Sequence, residues 1–177
     1  MQHLNIELKA RTARQADIRA WLQARGADFR GVDEQTDTYF QLPAGKGRLK
    51  LRRGNIENNL IHYQRNDDPR ARASAIALAP VTDAEALAIC LTRALGVLVE
   101  VRKRREIYFV ENVKIHLDQL DGLGAFVEIE AIAPTPDFPV EKLREQCAFF
   151  SAAFGIRAED ILAESYSDLL MSKQQNP

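Results

Sequence analysis

Charged side chains occupy every second position in four segments of this chain. The four charged sets are Glu7, Lys9 and Arg11; Arg48, Lys50 and Arg52; Lys114, His116 and Asp118; and Glu128 and Glu130. Aliphatic residues fill the positions between them. Because successive side chains of a β-strand point to opposite faces, each segment predicts a strand with one charged face and one apolar face.

The rest of the chain predicts further strands and amphipathic helices. The predicted strands cover residues 3–11, 37–42, 48–53, 59–65, 73–79, 97–110, 113–119 and 124–132. Thr12 with Gln15 and Thr82 with Glu85 have the spacing of capping boxes, so each pair predicts the start of a helix. A third helix, ending at Gly155, and a short helical tail complete the chain. A helix start, a Tyr-Phe pair and an apolar–basic triplet recur at offsets of 70, 69 and 66 residues, which suggests an internal duplication.

Two architectures are compatible with strands of this kind. In one, the charged faces are the solvated outer faces of a β-sandwich, which is the ordinary arrangement for antiparallel sheets. In the other, the strands form a barrel with a polar lumen, and the helices cover its apolar outer surface. Like charges side by side on a strand are unfavourable unless an opposite charge lies between them. A polyphosphate would neutralise the uniformly positive set at residues 48–52, and a divalent cation the negative pair Glu128 and Glu130.

The composition bounds the partners and the compartment. A formal net charge of -1 over 177 residues gives no global basic field for nucleic acid or an anionic membrane. Cys90 and Cys147 lie far apart in apolar helical segments, which predicts buried thiols in a reducing compartment rather than a disulfide. No apolar run of about 18 residues occurs. We therefore expect one soluble, cytoplasmic domain over residues 1–177, frayed from about residue 172.

Seven segments in chain order resemble one known family. They are residues 5–11, 37–40, 48–52, Arg65, 103–109, 115–130 and 165–170. Together they resemble the CYTH family, the triphosphate tunnel metalloenzymes, which include class IV adenylyl cyclases and thiamine triphosphatases. The resemblance covers roughly residues 3–170.

The resemblance implies an α+β fold, in which a closed eight-stranded antiparallel barrel holds a triphosphate along its axis and helices pack outside. The implied phosphate contacts are Lys9, Arg11, Lys50, Arg52, Arg65, Lys103 and Arg105. The implied metal ligands are Glu7 and Glu128, helped by Asp118 and Glu130, and hard oxygen ligands suit Mg²⁺ or Mn²⁺. Lys9 is expected to orient or deprotonate the nucleophile. Lys103 and Arg105 share their parity with Val97, Val99 and Val101, so a bulge or bend near Val101 is expected to turn the basic pair inward.

The leading functional hypothesis is a metal-dependent enzyme that resembles class IV adenylyl cyclase and converts ATP to cyclic AMP and pyrophosphate. An inorganic or organic triphosphatase, acting on tripolyphosphate or thiamine triphosphate, is the alternative. Asn5 stands where the family signature has its first glutamate, which motivates a third hypothesis, a non-catalytic sensor of nucleotides or polyphosphate. The expected partner is a small triphosphate, with no nucleic acid and no membrane, and homodimerisation is left open.

Overall fold

The computed structural model of the protein describes residues 4–64 and 75–175. In chain order its main elements are β1 (Asn5–Arg11), α1 (Gln15–Ala24), β2 (Asp28–Phe40), β3 (Arg48–Arg53), β4 (Asn59–Gln64), β5 (Ala75–Pro80), α2 (Ala84–Leu95), β6 (Val97–Val110), β7 (Val113–Leu120), β8 (Gly124–Ile132), α3 (Val140–Ala153) and α4 (Tyr166–Gln175). No helix in these two ranges is long and apolar enough to cross a membrane.

The eight strands form one antiparallel sheet in the order β1-β8-β7-β6-β2-β3-β4-β5. The order leaves β1 and β5 as the two edges, so the described strands form a curled, open half-barrel, and the predicted closed barrel is not confirmed. The free edge of β1 is occupied by a later segment instead. Ala10 forms an antiparallel bridge with Ile161, and the amide of Leu162 donates to the carbonyl of Lys9 at 2.9 Å. These bonds use backbone groups that a closing β5 would need.

The topology is internally symmetric, as the recurring sequence motifs suggested. β1-α1-β2-β3-β4 and β5-α2-β6-β7-β8 have the same order of elements. In the sheet, β2 pairs with β6 at the centre, while β1 pairs with β8 and β5 pairs with β4 at the two sides. Each element of the first unit therefore has a counterpart in the second unit, and the β2–β6 pair lies between the two halves of the sheet.

The convex face of the sheet is apolar and covered by helices, as predicted. Helices α1 and α3 pack on the part formed by β1, β7 and β8, where Ile18, Leu22 and Phe150 join a cluster with Ile6 and Ile115. Helix α2 covers another part of this face, the cluster around Phe40 and Leu51. Burial of these side chains supplies the main driving force that holds the curl of the sheet.

The concave face is apolar at one end and charged elsewhere, which corrects two expectations. Val99, Val101, Lys103 and Arg105 are all buried on this face in unbroken alternation. A register shift does occur on β6, between Val97 and Val99, but it precedes Val99 and does not separate Val101 from Lys103 and Arg105, so the expected change of face at Val101 is wrong. The valines do not face the outer helices; they pack with Tyr166 and the apolar side of α4, which covers this end of the concave face.

The structure differs from the sequence predictions at four local points. β2 begins at Asp28 rather than at residue 37. The sequence prediction missed its first half because polar residues occur at both parities there and no alternation is visible. Helix α1 has no side-chain cap, since Gln15 donates its amide to the carbonyls of Asp118 and Phe126, each at 2.9 Å. Helix α2 is capped by Asp83 instead of Thr82. Both cysteines are free thiols, but Cys90 is exposed, contrary to expectation.

Candidate functional site

The concave face encloses a cavity of about 300 Å³. Six basic side chains from β1, β3, β6 and β7 line it: Lys9, Lys50, Arg52, Lys103, Arg105 and Lys114. Five acidic side chains also line it: Glu7, Asp37, Glu57, Glu128 and Glu130. Eight of the eleven residues predicted for the site are therefore brought together in one cavity.

Asp37, on β2, is the counter-ion for one group of cations. Its carboxylate accepts hydrogen bonds from Lys50 Nζ at 3.0 Å, from Lys103 Nζ at 2.9 Å and from Arg52 Nε and Nη2 at 2.9 and 3.1 Å. Burial alone would raise the pKa of Asp37, but the three cations outweigh it and hold the pKa well below its usual value. Burial, reinforced by Arg52 and Arg105, lowers the pKa of Lys103 to about 7 even though Asp37 opposes the shift. Asp37 therefore fixes the positions of three cations from beneath them.

Arg105 is the centre of a second ion cluster. Its guanidinium donates to both oxygens of Asp118, at 2.6 and 2.5 Å, and to Glu128 Oε2 at 2.7 Å. The hydroxyl of Tyr166 donates to Asp118 Oδ2 at 2.8 Å. Both oxygens of Asp118 are thus engaged and its side chain is fully buried. In this arrangement Asp118 is the counter-ion of Arg105, and the metal-ligand role that the resemblance implied for it stays a prediction.

Lys9 is held between a carboxylate and an aromatic ring. Its Nζ lies 3.3 Å from Glu128 Oε1 and 4.1 Å from the centroid of the Tyr166 ring. Both contacts hold the ammonium group in place, one through opposite charge and the other through the negative face of the ring. This arrangement suits a side chain that orients a nucleophile or a phosphate oxygen.

His116 also lines this part of the cavity. Its Nδ1 lies 3.1 Å from Glu128 Oε2, so the carboxylate accepts the hydrogen of that nitrogen, and the buried Nε2 has no hydrogen-bond partner among the described residues. Burial, helped by Arg105, lowers the pKa of His116 to about 4, so the ring is neutral near pH 7.

The acidic side of the cavity lies on the β1–β8 pair, where Glu7 is directly opposite Glu130 and Lys9 opposite Glu128. Asn5 donates to Glu130 Oε1 at 2.6 Å. Burial raises the pKa of Glu130, and the like charges of Glu128 and Glu7 act in the same direction against Lys114. An added cation would relieve this repulsion.

The donor set fits a hard divalent ion. Within residues 4–64 and 75–175, no three His, Cys, Asp or Glu side chains form a group that could hold a metal by themselves. Mg²⁺ is usually bound through one or two carboxylates, with phosphate oxygens and water completing its shell. The pair Glu7 and Glu130 meets that requirement, and an all-protein cage is not needed.

Two predicted contacts are not part of the cavity lining. Arg11 is exposed, donates to the carbonyl of Leu123 at 3.1 Å and lies 5.0 Å from the ring of Phe126, so its position does not favour a phosphate contact. Arg65 lies outside the described residues. Three of the eleven acidic, lysine and arginine side chains that line the cavity were absent from the predicted set: Asp37, Glu57 and Lys114. The alternation of β7 did mark Lys114, but Glu57 lies in a loop where no periodic signal exists.

The fold and the cavity define a class of protein: a curled antiparallel sheet whose concave face converges basic and acidic side chains on a space suited to an anionic chain and a cation. The chain belongs to the CYTH family, because the CYTH domain model matches residues 3–166. It is 27% identical over 143 residues to a protein from Aeromonas hydrophila called adenylate cyclase CyaB, covering 77% of this chain and 72% of that one.

Solved structures share the fold over most of the chain. The PH1012 protein of Pyrococcus horikoshii OT3 is 28% identical, with a TM-score of 0.79 over 93% of this chain and 98% of that one. An adenylyl cyclase-like protein of Hippeastrum, HpAC1, described as having a dominant triphosphatase activity, is 14% identical, with a TM-score of 0.64 over 99% of this chain and 97% of that one. At that identity the likeness is one of fold alone.

Proposed function

We propose that this chain binds a triphosphate compound in the concave groove and catalyses metal-dependent cleavage of one of its phosphorus–oxygen bonds. The observation that carries the proposal is the convergence of six basic side chains from four strands on one cavity. Arginine forks and lysine ammonium groups bind phosphate oxygens from several sides, and their charges offset the charge that develops on the leaving phosphate.

The division of labour follows from the contacts. Arg52, Lys50, Lys103 and Arg105 are held by buried carboxylates, so they are positioned before the ligand arrives. Glu7 and Glu130, with Glu128 beside them, would hold the Mg²⁺ or Mn²⁺ ion. When bound, such an ion neutralises phosphate charge and activates the reacting oxygen. Lys9 then orients the attacking oxygen, because Glu128 and Tyr166 hold its ammonium group at the edge of the basic cluster.

Cyclisation of ATP is the leading reaction. The 3′-oxygen attacks the α-phosphorus, the bond to the bridging oxygen of the β-phosphate breaks, and pyrophosphate leaves. The cavity supports an organic substrate because Tyr39, Ile61, Tyr63, Ile76 and Leu78 form an apolar wall beside the cations. The similarity to the Aeromonas protein called adenylate cyclase supports the same reaction.

Hydrolysis is the second candidate, in which water replaces the 3′-oxygen and attacks the terminal phosphorus. The same cations and acidic pair serve both reactions, and the Hippeastrum protein with triphosphatase activity shares this fold. Incubation with ATP, tripolyphosphate and thiamine triphosphate, with Mg²⁺ or Mn²⁺, distinguishes them. Cyclic AMP with pyrophosphate supports the cyclase, and ADP with phosphate supports the hydrolase. Tight binding without turnover of any of the three supports the sensor and overturns the catalytic proposal.

Binding itself is tested by two neighbouring arginines on β3. Arg52 lines the cavity, whereas Arg53 points to the other face and pairs with Glu85 at 2.9 Å. We expect Arg52→Ala to weaken tripolyphosphate binding by about 10- to 150-fold, the range for losing a hydrogen bond to a charged group. Arg53→Ala should change it by less than about twofold, because Arg53 contacts Thr38, Glu85 and Glu100, which do not line the cavity. Equal effects of the two variants in calorimetry would overturn the assignment of the groove.

A further inference from the structure

The loop between β3 and β4 carries an acidic side chain into the end of the groove opposite α4. This loop, residues 54–58, is held by Asp33, whose carboxylate accepts from the backbone amides of Ile56 and Glu57 at 2.9 and 3.0 Å. A Cβ atom at Gly54 would lie 2.5 Å from Asp33 Oδ1, so the absence of a side chain there lets Asp33 approach. These hydrogen bonds fix the loop to strand β2, and they thereby fix the position of Glu57.

The carboxylate of Glu57 spans the groove. Its Oε1 accepts from Lys114 Nζ at 2.6 Å, and its Oε2 accepts from Arg52 Nη1 at 2.9 Å and from Gln35 Nε2 at 3.3 Å. Arg52 lies on β3 and Lys114 on β7, and the sheet order places β2 and β6 between those strands. Burial would raise the pKa of Glu57, but Lys114 and Arg52 hold it well below its usual value. A permanent negative charge therefore lies across this end of the groove.

Glu57 differs in its role from the other carboxylate that binds Arg52. Asp37 belongs to a strand and is 2% exposed, so although it also lines the cavity it leaves the more accessible sides of its cations to a ligand. Glu57 reaches in from a loop, lines the cavity and occupies Arg52 and Lys114 from the side a ligand would use. A phosphate group at this end would have to displace the Glu57 carboxylate from two cations or lie beside it, and like charges in a partly buried site repel strongly.

We propose that Glu57 is a specificity-determining residue that ends the phosphate-binding track and so discriminates against phosphate chains longer than a triphosphate. This inference rests on the proposed function, because it assigns a limit to the same groove. The preferred ligand is a compound whose three phosphates lie on the cations toward α4 and whose chain stops before Lys114.

The test compares tripolyphosphate and tetrapolyphosphate binding in calorimetry, at one ionic strength and one Mg²⁺ concentration. Glu57→Gln keeps the side-chain shape and frees Arg52 and Lys114 from their counter-charge. We expect the affinity ratio of tetrapolyphosphate to tripolyphosphate to rise by about tenfold, the factor for one new charge-assisted hydrogen bond. Glu57→Ala, which removes the side chain, should shift the ratio in the same direction.

Glu85→Gln is the matched control. It removes the same charge from a carboxylate paired with Arg53 on the outer face, so the ratio should stay within about twofold of the unsubstituted protein. If both Glu57 variants bind tripolyphosphate and keep the original ratio, the role of Glu57 is overturned while the proposed function stands. If the unsubstituted protein is folded and binds neither polyphosphate, the proposed function itself fails.

Discussion

Asp118 provides a test of whether the second ion cluster stabilises the fold. Its carboxylate is fully buried and accepts two hydrogen bonds from Arg105 and one from Tyr166. Asp118→Asn keeps the volume of the side chain but replaces one accepting oxygen with an NH₂ group, which cannot accept from either partner. The variant therefore leaves the buried guanidinium with one of its two carboxylates, Glu128, at 2.7 Å.

The cost can be bounded from this geometry. Removing one partner of a buried ion pair typically costs about 3–5 kcal/mol. Because Glu128 still compensates Arg105, we expect the lower end, about 3 kcal/mol. For a protein of this length, 1 kcal/mol corresponds to about 2–4 °C in melting temperature, so Asp118→Asn should melt about 6–12 °C lower.

Thermal unfolding followed by circular dichroism measures this difference, and Asp17→Asn is the control. Asp17 pairs with Arg14 on an exposed part of α1, with side-chain exposures of 64% and 58%, so its loss should lower the melting temperature by about 1–2 °C. Burial tends to raise the pKa of Asp118, but Arg105 outweighs it and the pKa is lowered. Because the pKa of this carboxyl is lower in the folded state, its ionised form stabilises the fold at pH values above the unfolded-state pKa of about 3.9. This stabilisation is lost as the pH falls and the carboxyl is protonated. The difference in melting temperature between Asp118→Asn and the unsubstituted protein should therefore narrow below about pH 4. If Asp118→Asn lowers the melting temperature at neutral pH no more than Asp17→Asn does, the reasoning is refuted.

Three other variants test separate features of the groove. Burial lowers the pKa of Lys103 to about 7, so binding of a phosphate compound at pH 8 should protonate this side chain. Calorimetry in buffers of different ionisation enthalpy should show this proton uptake, and Lys103→Met should remove it. Equal proton uptake by the variant and the unsubstituted protein would contradict the prediction. Asn5→Glu places a carboxylate beside Glu130, so thermal unfolding should show a lower melting temperature without divalent ions and a larger rise with Mg²⁺; an unchanged response to Mg²⁺ would count against an acidic metal site here. Gly54→Ala forces Asp33 away from the loop and should cost about 1–3 kcal/mol in urea unfolding, and a loss below about 0.5 kcal/mol would show that the loop adapts.

Strict alternation made much of the sheet predictable. The bounds of β3 and β8 agree with the sequence prediction because a period of two is a local property of the chain, and the bounds of β6 agree as well. The first half of β2 was missed for the complementary reason. Asp33 and Gln35 are buried polar residues, and the exposed Asp28 and Glu34 are polar as well, so neither face is marked by apolar side chains. Its strand character comes from pairing with β6, a partner about seventy residues away.

The candidate site was predictable as a set of charges but not as a set of pairs. Alternation and family resemblance placed most of the lining residues correctly on one face. The role of Asp118 depends on its being opposite Arg105 in the β6–β7 register, which no local pattern contains. The position of Glu57 depends on the path of its loop. That path is fixed by contacts of the loop with Asp33, which lies on another strand, so no local pattern around Glu57 contains it.

The balance of charge in the groove explains how six cations can lie close together. Six basic and five acidic side chains line the cavity, so it is nearly neutral by itself. Two of the counter-ions, Asp37 and Asp118, are buried beneath the cations and hold them in place. A ligand therefore meets prepositioned donors and does not have to order long side chains, which removes an entropic cost of binding. Under the proposed function, the carboxylates that reach the cavity from its sides divide two tasks: Glu57 would end the track of an anionic chain, and Glu7 and Glu130 would hold the cation.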